Sequence, residues 1–166
     1  MITLSKEQVI RLHEKLIYDT GGLGGVSDEV MLESSLECAL HTVDGADLYP
    51  STQSKIAAIT FSLIRNRPFV DGNKRIGACV MLVLLELNHI IADFDDEELI
   101  HIGEGVAAGR ISAEQLQRLV ERHIPKQAKL GLFLHEQEPF YSFQTNCYFQ
   151  GYQRMGFEAI DSLNGS

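Results

Sequence analysis

From Arg65 to Arg75 the chain reads Arg-Asn-Arg-Pro-Phe-Val-Asp-Gly-Asn-Lys-Arg. The residue types at its end could hold an anion. Pro68, Asp71, Gly72 and Asn73 are loop-formers, and they lead straight into a helix start carrying Lys74 and Arg75. Cations at a helix N-terminus face the positive end of the dipole and cost about 0.3–1 kcal/mol each. Free backbone N–H groups, two cations and a Gly-containing turn in one place make an anion site. Asp71 beside them suits a Mg²⁺ ion bridging to a phosphate. On spacing alone the alternative is a loop with a solvated Lys-Arg pair ahead of a core helix.

The elements that must position these residues follow from periodicity. Ile76 to Leu87 is apolar all round, with Glu86 the only charge. A helix without a polar face is buried on all sides, and this run is too short for a bilayer, which needs about 20 residues. It is expected to be the central helix of a globular core, ending at His89, whose place at a helix C-terminus favours a dipole contact over catalysis.

Upstream, Ser5 with Gln8 is a capping-box pattern, followed by Val9, Leu12, Leu16 and Ile17 at helical spacing. Gly21-Gly22-Leu23-Gly24-Gly25 ends that helix. The run lacks the Gly-Lys-Ser/Thr ending of a phosphate loop and follows no strand, so it reads as structural punctuation. A second helix is expected from Ser27, with Leu32, Leu36, Ala39 and Leu40 inward, and a third over about 54–65. Between them, Asp44-Gly45 is a turn signal, and Asp47-Leu48-Tyr49-Pro50 is extended before its proline. Downstream, Asp93 to Glu98 is an acidic run at a helix start. Helix 5 is expected to run to about Ala108, with Gly109 at its C′ position. Ser112 with Gln115 opens helix 6, which Pro125 stops.

Length and composition bound the classes. One domain over 1–125 fits, with residues 126–166 as an aromatic-rich tail without a clean helical period. A formal charge of −9 argues against a sequence-independent grip on nucleic acid. Cys38, Cys79 and Cys147 are odd in number, widely spaced and without zinc-ligand spacing, and a reducing compartment fits them. With no signal-peptide pattern at Met1 and no membrane-length apolar segment, a cytoplasmic protein is expected.

Arg67–Arg75 resembles the signature loop of the Fic/Doc superfamily, His-x-Phe-x-(Asp/Glu)-(Gly/Ala)-Asn-(Gly/Lys)-Arg. Phe69, Asp71, Gly72, Asn73, Lys74 and Arg75 match. Lys74, where Fic adenylyltransferases carry Gly, is the death-on-curing (Doc) variant. The resemblance runs to about Pro125 and implies an all-α bundle around the central helix, with a small flap that could be β.

It also implies chemistry. Doc-type toxins transfer a phosphate from ATP to a hydroxyl of a target protein and block translation; Fic relatives transfer AMP with the same loop. By resemblance, Gly72, Asn73, Lys74 and Arg75 would bind the nucleotide, Asp71 would hold Mg²⁺, and Phe69 would fix the loop. Asp47, Leu48 and Tyr49 would form a flap that docks the target by strand pairing. The family's histidine, the general base, is Arg67 here. Arginine stays protonated and cannot take the hydroxyl proton, so this copy would be severely impaired, as an introduced or selected change or as a natural pseudoenzyme.

Many Fic proteins carry an inhibitory helix of pattern (Ser/Thr)-x-x-x-Glu-(Gly/Asn). Here Glu104 is followed by Gly but preceded at that spacing by Ile100. The expected partners are therefore a separate, Phd-like antitoxin and a target protein of the translation machinery, with no direct nucleic acid and no membrane. The rival readings are AMP transfer, against which Lys74 argues by resemblance, and a non-catalytic binding protein.

Overall fold

The computed structural model describes residues 1–125. The aromatic-rich tail over 126–166 and Cys147 lie outside the described residues. Six α-helices follow in order: α1 (Lys6–Thr20), α2 (Glu29–Glu37), α3 (Thr52–Asn66), α4 (Asn73–Leu87), α5 (Asp96–Ala107) and α6 (Ala113–His123). A single 3₁₀ turn, Cys38–Leu40, extends α2. The fold is mostly helical, as the resemblance implies.

The helix starts are written in the sequence. Ser5, Ser51, Asp95 and Ser112 each form a complete capping box, satisfying two otherwise orphan groups at each start. Helix α2 opens at Glu29 with Asp28 as its cap, two residues later than expected. Ser27 is engaged elsewhere, since its backbone N–H and hydroxyl both donate to the Pro68 carbonyl, at 2.8 and 3.0 Å. Helix α3 opens two residues earlier than expected, because Ser51 and Ser54 cap each other. Leu40, expected inward, is exposed: the 3₁₀ turn tightens the pitch and swings it out.

Helix α4 is buried almost all round. Ile76 through Met81 and Val83 through Leu85 are buried, and Lys74 and Glu86 are exposed. Its place at the centre is shared with α3, which packs on α2, α4, α5 and α6. The helices approach closely at Gly77, where an added Cβ would meet Ile64 Cγ1 at 2.4 Å. Asn88 caps the far end of α4 and bonds both backbone groups of Ile2 (2.7 and 2.8 Å). His89 follows, exposed and left-handed (φ 56°).

The expected flap is a β-hairpin of β1 (Thr42–Val43) and β2 (Ala46–Asp47), paired antiparallel. Asp44 and Gly45 both have positive φ, 52° and 81°, the two-residue turn whose twist matches paired strands. No helix among the described residues is long and apolar enough to cross a membrane.

Candidate functional site

The motif loop joins α3 to α4, and both of its ends are left-handed. Arg67 caps α3 with φ 49° and Gly72 opens α4 with φ 74°. Arg67 is exposed at that corner. Inside the loop Phe69 is buried, 2% exposed. Its backbone is gripped by Asn73: Phe69 N–H donates to Asn73 Oδ1 (2.9 Å) and Asn73 Nδ2 donates to the Phe69 carbonyl (2.8 Å). The Asn73 carboxamide is therefore spent holding the loop closed. What Asn73 leaves open at the helix start is its backbone amide.

Helix α4 starts without a side-chain cap, whereas the other five α-helices are each capped by Ser or Asp. Its first backbone bond is from Ile76 N–H to the Gly72 carbonyl (2.8 Å). The amides of Asn73, Lys74 and Arg75 thus have no intrahelical acceptor. With the dipole they form a positive terminus open to an anion.

The two cations flank this end and lean on different elements. Lys74 is half-exposed, its Nζ 3.9 Å from Glu104 Oε1 on α5. The Arg75 guanidinium donates to the Gly21 carbonyl (2.8 Å) and the Thr20 hydroxyl, and lies 3.5 Å from Asp71 Oδ2. Arginine has five donors, so the anchor on α1 fixes the group while leaving others available.

The Asp71 carboxylate accepts from Gly72 N–H (2.6 Å) and Leu23 N–H (3.4 Å). These two amides, with Arg75 close by, hold it below the usual carboxylate range. It is ionised and partly exposed, the state a metal ligand requires. Among the described residues no group of three or more acidic, His or Cys side chains is gathered to hold a metal alone. A lone carboxylate beside an anion site nonetheless fits Mg²⁺, which is commonly bound through one or two carboxylates plus substrate phosphates.

Sequence reasoning missed what braces this loop. The Gly-rich turn is more than punctuation. Its Gly25 carbonyl accepts from Val70 N–H (3.0 Å), Val26 bridges Phe69, and Leu23 reaches Asp71. At Gly22 (φ 127°) an added Cβ would lie 2.5 Å from Asp71 Oδ2, so the turn presses on the motif. His13 was missed too. It is 1% exposed, stacks on Phe69 (ring centroids 3.9 Å apart, 15° between planes) and bonds the Asp71 carbonyl at 2.8 Å. Burial lowers its pKa. The signal was available: positions 9, 12, 13 and 16 share one helical face, and three of them are aliphatic.

Of the flap residues, Asp47 and Leu48 are exposed and Tyr49 is half-buried, its hydroxyl pKa raised by burial. Leu48 N–H closes the hairpin base on the His41 carbonyl (2.9 Å), and Asp47 pairs with Lys55 (2.7 Å). The flap and the motif loop leave opposite ends of α3.

Comparison with known proteins agrees with this geometry. A family model described as Fic/DOC family matches residues 3–85. "Protein kinase doc" of Escherichia phage P1 is 31% identical over 123 residues, covering 70% of this chain and 94% of that protein. "Toxin Doc" of Mycolicibacterium smegmatis is 39% identical over 77 residues, 45% of this chain. The chain spans 59% of the length of that second relative. The matched region takes in α1, the Gly-rich turn, the flap, the motif loop and most of α4. With the loop's signature residues set around an uncapped helix start, these matches establish that the chain belongs to the Fic/DOC family.

Proposed function

We propose that this chain is a Doc-type toxin whose motif loop holds the phosphates of ATP with Mg²⁺ for transfer of a phosphoryl group to a hydroxyl of a translation-machinery protein. The observation that carries the proposal is the α4 start: three amides without intrahelical acceptors, no side-chain cap, and Lys74 and Arg75 on either side. Phosphoryl transfer asks a protein mainly for charge neutralisation and positioning. The backbone amides of Asn73, Lys74 and Arg75 would take phosphate oxygens. Lys74 and Arg75 would offset their charge, and Gly72 would serve nucleotide binding through the left-handed corner that opens α4, its Cα packed close against Ile17 and His13. Asp71 would hold Mg²⁺, which when bound supplies charge neutralisation between phosphates. The flap residues Asp47, Leu48 and Tyr49 would dock the target. A Phd-like antitoxin is the proposed partner in the cell.

Arg67 sets the state of this copy. Exposed at the mouth of the loop and permanently protonated, it cannot act as base. The copy binds nucleotide under this reading but transfers poorly. Arg67→His should raise transfer about 10²–10⁴-fold, the range of a general base, measured by mass spectrometry of target protein incubated with MgATP. A phosphate adduct supports the proposal; an AMP adduct would transfer it to the Fic chemistry. Arg67 also favours a second reading, a binding protein without catalysis. That reading wins if Arg67→His gives neither adduct nor growth arrest.

A further inference from the structure

The peptide unit between Asp71 and Gly72 leads into the uncapped start of α4, and both of its ends are tied. Its N–H donates to the Asp71 carboxylate at 2.6 Å. Its carbonyl lies 2.8 Å from His13 Nε2. A carbonyl can only accept, so Nε2 carries the hydrogen. The ring that donates it is fixed independently by its 3.9 Å stack on Phe69, and Phe69 in turn is clamped by Asn73. Ile17, one turn along α1, closes the space: a Cβ on Gly72 would meet Ile17 Cδ1 at 3.0 Å and His13 Nε2 at 3.4 Å.

We infer that His13 is a positioning residue of the phosphate loop, whose Nε2–H grip on the Asp71 carbonyl sets the peptide plane that aims the uncapped amides of α4. The inference rests on the phosphate-binding reading above and adds a residue outside the motif to it. The chemistry explains the residue type. A leucine at position 13 would fill the same apolar face of α1, as Leu12 and Leu16 do, but would leave that carbonyl without its donor. A buried polar group then seeks another partner, and the plane is free to turn. An imidazole supplies volume, a flat face for Phe69 and one aimed N–H together.

The test compares MgATP binding by calorimetry in the full chain and in His13→Phe and His13→Gln. Phenylalanine keeps a ring for the stack but has no donor; glutamine puts an N–H at a similar reach. His13→Phe should bind MgATP on the order of tenfold more weakly, the scale of one lost hydrogen bond. His13→Gln should recover most of that loss. If His13→Phe does not fold, His13→Asn, whose amide falls short, takes its place. Equal affinity in the donor-less variant, or no recovery with glutamine, overturns the inference.

Amide hydrogen exchange without nucleotide is the second readout. Exchange at Gly72 and Ile76, whose N–H groups are bonded to the Asp71 carboxylate and the Gly72 carbonyl, should rise in the donor-less variant more than in the α4 interior, and unchanged exchange there also overturns the inference. If the parent chain binds no MgATP, the phosphate reading fails, and the exchange result alone decides the role of His13.

Discussion

Asn73 shows how a motif residue can serve a site without facing its ligand. Both ends of its carboxamide are bonded to the backbone of Phe69, and it is one of few buried polar side chains. Asn73→Ala would leave a buried N–H and a buried carbonyl unmatched. The expected loss is about 1–3 kcal/mol of stability, read as a lower urea midpoint at unchanged slope. A variant as stable as the parent would return Asn73 to the ligand. Position 67 is the counterpart at the loop's other end. Its left-handed corner is occupied by an arginine, a conformation that costs a residue with a Cβ about 1–2 kcal/mol. The sequence made the chemistry of that position legible but not its backbone, because arginine gives no signal for φ above zero.

At the scale of elements, the capped helices were readable and the uncapped one was the informative exception. Ser5, Ser51, Asp95 and Ser112 announce their helices through a residue three places on. Gly72 announces its helix only by tolerating φ 74°. Gly72→Ala should cost about 1–2 kcal/mol from that conformation alone, with Ile17 Cδ1 crowding the new methyl. It should also weaken MgATP binding, because the helix start must tilt. Thermal unfolding and calorimetry on one variant check both. What the sequence hid at this scale was the pairing of the Gly-rich turn with the motif loop. Five residues at 21–25 contain no chemistry of their own, and they matter only through Leu23 N–H, the Gly25 carbonyl and the closeness of Gly22 to Asp71. Contacts between segments more than forty residues apart leave no local periodicity to detect.

At the scale of the whole molecule, the core was legible because one uninterrupted apolar run had to be covered on every side. The shared role of α3 was less so, since its half-polar pattern looks like that of any surface helix. Cys79 reports on this core. Burial pushes its thiol up to about 12, so alkylating reagent at pH 8 should label it only after unfolding. Labelling of Cys79 itself in the native chain at the rate of a free thiol, located by peptide mass spectrometry apart from Cys38 and Cys147, would contradict the packing.

A second global reporter is His123, which ties α6 to α5. Its Nδ1 meets the Leu119 carbonyl (2.7 Å) and its Nε2 the Glu98 carboxylate (2.8 Å), and its ring stacks on Phe94. Two acceptors call for two donors, hence the charged ring. Burial works against that charge, but the Leu119 carbonyl and the Glu98 and Asp93 carboxylates outweigh it, and the pKa is raised. A raised folded pKa gives stability that is complete below the ordinary value near 6.5 and is lost as pH climbs through the folded value. The unfolding temperature should therefore fall between pH 6 and pH 8 more in the parent than in His123→Gln. Parallel curves would remove this pair from the account.

The tie between Ile2 and Asn88 has a practical meaning for anyone handling the protein. Leu4 is buried, and Ile2 holds the far end of α4 through both of its backbone groups. The first residues thus act as a rear bracket for the same rod whose front end presents the uncapped amides. A bulky fusion placed there, or trimming of residues 1–4, would loosen the rod from behind and dull a site at its opposite end. Affinity handles and fluorescent reporters belong away from this segment, and away from the β1–β2 hairpin proposed to dock the target.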